Sequence, residues 1–252
     1  MKRQEIAFAA YMAVALVFGD AVHAQDSGPQ LSLDRLGYIE PGSYLAGDTV
    51  AFSLNSAGGN YLMRLAGSPE IFVLYVDHGS LGGRILKYDS GETALRIAGW
   101  GGITLYTDAQ PDGLPAVRTG DSAPPVPPSV SIQEVESAAS DDAEHLLYAR
   151  RLAVQFAAGA SAITDNPATR NLAFDALENA ARGIERFTAS AAARDAFARR
   201  VATVSVEIAL RPRIAINGKT LVVTFDPGEG LTGRASSRAI ARALGTLLLP
   251  QR

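Results

Sequence analysis

Ile71-Phe72-Val73-Leu74-Tyr75-Val76 is an unbroken apolar run bounded by Gly67-Ser68-Pro69 on one side and His78-Gly79-Ser80-Leu81-Gly82-Gly83 on the other. A strand with one wet face alternates apolar and polar residues, so a run apolar at every position belongs in the middle of a sheet. Around it, from Asp48 to Thr107, short apolar runs alternate with turn residues, and the spacing predicts an antiparallel meander. The candidate strands are Thr49 to Leu54, Tyr61 to Leu65, Ile71 to Val76, Arg84 to Tyr88, Ala94 to Ile97 and Ile103 to Tyr106. Ser56-Ala57-Gly58-Gly59-Asn60, Asp89-Ser90-Gly91-Glu92 and Gly99-Trp100-Gly101-Gly102 separate them, with glycine supplying the positive φ that tight turns need.

The rhythm changes twice after the meander. Pro111, Pro115, Pro124, Pro125, Pro127 and Pro128 crowd residues 109–131, which read as a linker. Pro124-Pro125-Val126-Pro127-Pro128 favours polyproline II, and a semi-rigid spacer is a commoner use of such a run than a ligand for a proline-recognising module. Residues 132–252 are expected to be mainly helical. One helix is predicted from Asp141 to Ala158, with Leu146, Leu152 and Phe156 in its buried stripe. A second begins at Pro167, capped by Asp165 or Asn166, and a third spans Ala189 to Arg200. Val204 to Leu210, Ile214-Ala215-Ile216 and Leu221 to Phe225 read as strands with Asn217-Gly218 as a hairpin turn, and Ser236 to Leu249 as the last helix. The expected fold is therefore α+β: an antiparallel β meander or small barrel over 25–108, the linker, then a helical bundle closed by a β-hairpin and helix.

The N-terminus sets the compartment. Lys2 and Arg3 precede an apolar run from Ile6 to Phe18, followed by Val22-His23-Ala24, the three parts of a cleavable signal peptide over 1–24. The run is shorter than the roughly 20 apolar residues a membrane span needs. Export to the periplasm or medium follows, with no membrane span after cleavage. The chain has no cysteine, which excludes a thiol nucleophile, a Cys-ligated zinc and a lipidated N-terminal Cys. Net charge is −3, and the signal removes two charges of each sign, so the balance gives no reason to expect nucleic acid as a partner.

Catalytic patterns are sparse. Gly228-Glu229-Gly230-Leu231-Thr232-Gly233 matches a dinucleotide-binding turn, but the following strand and ribose-binding acid are missing before Arg252, so no cofactor is expected. His78 and His145, the two histidines outside the signal, lie in no metal-binding or triad spacing, so neither a metal site nor a catalytic residue is assigned. Asp89 and Glu92 flank a turn and give the alternative of a hydrolase acting on envelope glycan or peptide, although turn geometry selects Asp there on its own. Trp100, the only tryptophan, suits either a carbohydrate-stacking surface or an aromatic closing the sheet core. Arg234, Ser236, Ser237 and Arg238 surround the start of the last helix, where unpaired N–H groups favour an anion. They form the candidate anion-binding site, with an anionic envelope component as the expected partner. Ordinary helix capping is the plainer account of the serines.

Gly82-Gly83-Arg84-Ile85-Leu86-Lys87-Tyr88-Asp89-Ser90-Gly91, Trp100-Gly101-Gly102-Ile103-Thr104-Leu105-Tyr106 and Gly233-Arg234-Ala235-Ser236-Ser237-Arg238 are similar to stretches of a bacterial family of exported proteins catalogued only as a domain of unknown function. The resemblance covers most of the chain after the signal. It implies a Gram-negative envelope setting and carries over no activity and no catalytic residue. With the residues above, it points to a non-catalytic binding or structural role in the envelope. N-terminal sequencing of the protein recovered from the periplasm is expected to begin at Gln25; full-length chain starting at Met1 in the cytosol would overturn the export reading.

Overall fold

The computed structural model describes residues 38–249, so the signal-peptide expectation over 1–24 lies outside the described residues. The meander is larger than its apolar rhythm suggests. Eight antiparallel strands, β1 (Gly42–Ala46), β2 (Val50–Ala57), β3 (Asn60–Leu65), β4 (Ile71–His78), β5 (Arg84–Tyr88), β6 (Thr93–Ile97), β7 (Ile103–Thr107) and β8 (Gln110–Gly120), pair in sequence order. β8 then pairs with β1 and closes the barrel.

β8 corrects the expected linker, because Gln110–Gly120 is a strand despite Pro111 and Pro115. Proline lacks an N–H but keeps its carbonyl, and here the Pro115 oxygen accepts from Gly47 N–H at 2.9 Å. Only Ala116 of this strand is buried, which is why no apolar rhythm marks it. The irregular connection shrinks to 121–130 and is pinned at both ends. Asn55 Nδ2 donates to Ser122 Oγ at 3.1 Å, and Val130 N–H donates to Asn171 Oδ1 at 3.0 Å.

The barrel has no ligand lumen. Tyr44, Phe52, Leu54, Met63, Phe72, Leu74, Leu86, Leu95 and Leu105 fill it, with Tyr44 stacked on Phe52 at 5.1 Å and Phe72 edge-on to Tyr88 at 5.2 Å. Ile39, ahead of β1, is buried with this core, and Tyr61 donates its hydroxyl to the Ile39 carbonyl. The run that begins β4 is apolar on both faces for a physical reason. Phe72 and Leu74 point into the barrel, while Ile71 and Val73 join Leu62 in an outer cluster against Leu231 of the second unit. Tyr75 and Val76, past that contact, are exposed.

The second unit is a sheet covered by helices, not a bundle. Its elements are α1 (Ile132–Arg150), β9 (Gln155–Ala158), α2 (Ala160–Thr164), α3 (Pro167–Phe187), α4 (Ala191–Arg200), β10 (Thr203–Ile208), β11 (Arg213–Asn217), β12 (Thr220–Phe225) and α5 (Ser237–Leu248). The sheet order is β11-β12-β10-β9, with β9, β10 and β12 parallel and β11 antiparallel at the edge. Val204, Val206, Leu221, Val223 and Phe225 alternate onto one face and share a core with Leu177, Ile184, Phe197, Ile240 and Leu244 of the helices.

The helix expected over 141–158 is displaced to α1. It starts at a capping box, in which Ser131 Oγ accepts from Glu134 N–H while the Glu134 carboxylate accepts from Ser131 N–H, and it stops at Arg151 in the left-handed region (φ 57°). Phe156 therefore belongs to β9. α3 begins where its cap is expected, with Asn166 accepting from Ala168 N–H and Pro167 in the first turn. α3 and α5 cross closely at Gly183, where a Cβ would lie 2.7 Å from Ile240 Cβ, so the crossing requires glycine.

One carboxylate in this unit is poorly served. Asp142 Oδ2 on α1 is buried without a hydrogen-bond partner. Burial pushes its carboxyl up to about 7, Glu178 adds to the rise, and Arg182 opposes it. An unfolded Asp ionises near 4. As pH falls through about 7, the native state therefore takes up a proton that the unfolded chain does not, and this site contributes more stability at mildly acid pH than above neutrality. Asp142→Asn is expected to raise the urea midpoint at pH 8 and to lose most of that advantage by pH 5. A gain of equal size at both pH values would show that the charge is not the cause.

Candidate functional site

In an up-and-down barrel, alternate turns share an end. The β3–β4, β5–β6 and β7–β8 turns therefore gather at one mouth, and they carry Glu70, Asp89, Glu92 and Asp108. The N-terminus of α5 docks against this mouth. Sequence reasoning singled out the receiving half of the contact, Arg234, Ser236, Ser237 and Arg238, and the structure brings all four together there.

Each has a named partner in the barrel. Ser236 N–H donates to Asp89 Oδ2 at 2.7 Å, and its hydroxyl donates to Asp89 Oδ1 while accepting from Ala239 N–H as the helix cap. Ser237 N–H and Oγ–H donate to the two oxygens of Glu70 at 2.8 and 2.7 Å. Two carboxylates thus occupy the positive end of the helix, where unsatisfied N–H groups and the dipole would draw an external anion. Arg238 reaches across the mouth, 4.2 Å over the Tyr88 ring, and forms ion pairs with Glu92 and Asp108 at 2.6 Å each. Arg186 of α3 pairs with Asp108 and donates to Ser237 Oγ at 2.9 Å. Arg242 donates to the Ser90 carbonyl.

Arg234 is a buried cation, at 3% exposure. Its Nε contacts the Asp175 carboxylate of α3, and Nη2 donates to the Ile71 carbonyl of β4 at 2.8 Å. One guanidinium therefore ties helix, loop and barrel strand together. Burial pushes the Glu70 and Asp89 carboxyls above their ordinary values, and the Ser237 and Ser236 donors pull them part of the way back.

These bonds bear on the other sequence readings. Asp89 is engaged with Ser236, and Glu92 with Arg238 and the Ser90 hydroxyl at 3.2 Å, so the two acids weighed for glycan hydrolysis are held in the joint. The Gly228 to Gly233 motif forms a 3-10 turn that places Leu231 against the barrel, and a Cβ on Gly233 would meet the Asp226 carbonyl at 2.1 Å. The glycine there serves a tight chain reversal. His78 is exposed on the barrel, and His145 of α1 stands 3.6 Å from Glu185 of α3. Among the described residues, no group of three or more His, Cys, Asp or Glu side chains is placed to hold a metal, and no helix is long and apolar enough to cross a membrane.

The opposite end of the barrel is free of the second unit. Its β4–β5 and β6–β7 turns carry Leu81 and Trp100, which are 87% and 82% exposed. Trp100 therefore does not close the sheet core. It lines an open groove of about 460 Å³ with Ser80, Leu81, Arg96, Thr104 and Tyr106. Sequence reading flagged Trp100 but gave no sign of Leu81 or Arg96, because their grouping depends on the pairing of β5 with β6, which brings the two turns side by side.

Arg234→Ala leaves Asp175 buried without its cation, and an orphaned buried charge costs about 3–5 kcal/mol. Urea denaturation is expected to show a loss of that order, against about 1 kcal/mol for removing the Ser236 cap hydroxyl alone. Similar small losses in both variants would mean that Arg234 is not the keystone of the joint.

No curated protein and no solved structure matches the chain. Residues 32–244, which take in both the barrel and the helix-covered sheet, match the family described as a domain of unknown function (DUF4908), and the chain belongs to that family.

Proposed function

We propose that this is an exported, non-catalytic binding protein of the cell envelope, in which the helix-covered sheet serves as the base and the free barrel end makes contact with an envelope component. The observation that carries the reading is Trp100, a large apolar side chain 82% exposed on a turn remote from the joint. Exposed aromatic groups of this kind contribute little to a core and are enriched where proteins meet partners. The joint supports the same reading from the other side. Arg238 pairs with Glu92 and Asp108, Arg234 with Asp175, and Asp89 and Glu70 accept from Ser236 and Ser237, so these charged groups are engaged within the fold. A hydrolase needs acids that converge on a substrate, and Asp89 and Glu92 are spent on Ser236 and Arg238.

The expectation that an anionic component binds at Arg234, Ser236, Ser237 and Arg238 gains little support, since an incoming anion would have to displace Asp89 and Glu70. Retention of the purified protein on washed Gram-negative envelopes tests the proposal. Saturable binding is expected, falling severalfold in the double variant Leu81→Ser, Trp100→Ser, whose exposed positions leave the fold intact. Undiminished retention of that variant would remove the free end from the reading, and absence of retention in the wild type would remove the binding role.

A further inference from the structure

The groove beside Trp100 is built with more care than a solvent-exposed turn requires. Its two turns are locked backbone to backbone through glycine. A Cβ on Gly99 would lie 2.4 Å from the Leu81 carbonyl oxygen, and one on Gly83 would lie 2.5 Å from the Ile97 oxygen. Short bonds brace each turn: Gly79 N–H to the Gly83 carbonyl at 2.9 Å, and Ala98 N–H to the Gly102 carbonyl at 2.8 Å. Leu81 itself sits in the left-handed region (φ 53°, ψ 43°), a conformation disfavoured for a side chain with a Cβ and one that the surrounding contacts must hold. The exposed tip at Leu81 and Trp100 lies outside the barrel core, which is filled without it. Rigidity of this kind lowers the ordering cost of binding.

The lining gives the chemistry of the ligand. Trp100 offers an aromatic face, whose negative π surface attracts the C–H rim of a sugar ring. Ser80, Thr104 and Tyr106 supply hydroxyls, which both donate and accept and so match the vicinal hydroxyls of a saccharide. Arg96 is exposed and lies outside the ion pairs found among the described residues, so its guanidinium is available for bidentate pairing with a carboxylate. A volume of about 460 Å³ falls within the range of small-molecule sites and suits a few sugar units in an open groove. A lipid surface would need a wider apolar patch than Leu81 and Trp100 provide, without polar groups between them.

We propose that this groove binds an acidic oligosaccharide, with Trp100 stacking on a sugar ring and Arg96 holding its carboxylate. The proposal rests on the binding role given above and names the ligand class. Because Trp100 is the only tryptophan, intrinsic fluorescence of the purified protein reports on the groove directly. Titration with trigalacturonic acid is expected to give a saturable change, with cellotriose at least about tenfold weaker, the range expected for hydrogen bonds to a charged group. Arg96→Ala should bring the two affinities together, and Trp100→Ala, followed by calorimetry, should abolish binding without moving the thermal midpoint. Equal binding of both saccharides in wild type and Arg96→Ala would overturn the acidic class while leaving a binding groove. Response to phosphatidylglycerol vesicles and to neither saccharide would overturn the glycan and leave the free end as the contact surface. Silence with all three, together with envelope retention unaffected by Trp100→Ser, would sink both this inference and the role on which it rests.

Discussion

The docking of the α5 N-terminus on the acidic mouth of the barrel is the constraint from which the rest of the architecture follows. Charged groups are buried at this contact, and taking them out of water costs several kcal/mol per ion unless each finds a partner. Much of the cost is met by pairing, while Arg234 Nη1 and Arg238 Nε are buried without a hydrogen-bond partner. Asp89 and Glu70 take the first N–H groups of the helix together with the Ser236 and Ser237 hydroxyls, Arg238 spans Glu92 and Asp108, and Arg234 joins Asp175 to the Ile71 carbonyl. Such a set tolerates one orientation. Rotating the helix by a residue would separate both serines from their acids and leave the carboxylates buried and unanswered, so the joint specifies geometry as much as it supplies stability.

This geometry divides the barrel into two ends with different work. An up-and-down meander sends alternate turns to opposite mouths, and the turns at the docked mouth carry the acids while those at the other carry glycine, Leu81 and Trp100. Both mouths are shut. Ile39 is packed into the barrel core with the chain leading to β1, and Arg238 lies over Tyr88 at the docked end. A barrel filled by Tyr44, Phe52, Met63 and Leu74 cannot carry a ligand inside, so any recognition it performs has to take place on its outer surface or its turns.

Much of this was legible in the residues, and the failures have physical causes. α3, β10, β11 and β12 carry local signals that tertiary packing does not override: a cap followed by proline, period-2 alternation, and Asn217-Gly218 at a turn where Gly218 adopts φ 61°. β8 was hidden because proline argues against a ladder, yet a strand whose carbonyl is used and whose faces are mostly wet can accommodate it. The apolar positions Leu152 and Phe156 extended the helical period past Arg151, where a left-handed residue ends α1, and the capping box at Ser131 and Glu134 was the better guide to where it begins. The joint is a different case. Residues 234–238 read as a segment seeking an anion, which is correct local chemistry, but the barrel carboxylates that answer it stand 130 to 167 residues away. No local pattern pairs them.

Glycine shows how the two ends came to differ. At the joint, Gly183 and Gly233 are small because a helix or a carbonyl passes within contact distance, and removing that closeness would loosen the core of the second unit. At the free end, Gly83 and Gly99 are small for the same steric reason, since the carbonyls of Ile97 and Leu81 pass within contact distance, but the Leu81 and Trp100 side chains beside them are solvent-exposed. Close approach in the first place is explained by burial. In the second it sets the position of Leu81, Trp100 and the groove between them, the part of the barrel that the second unit leaves uncovered.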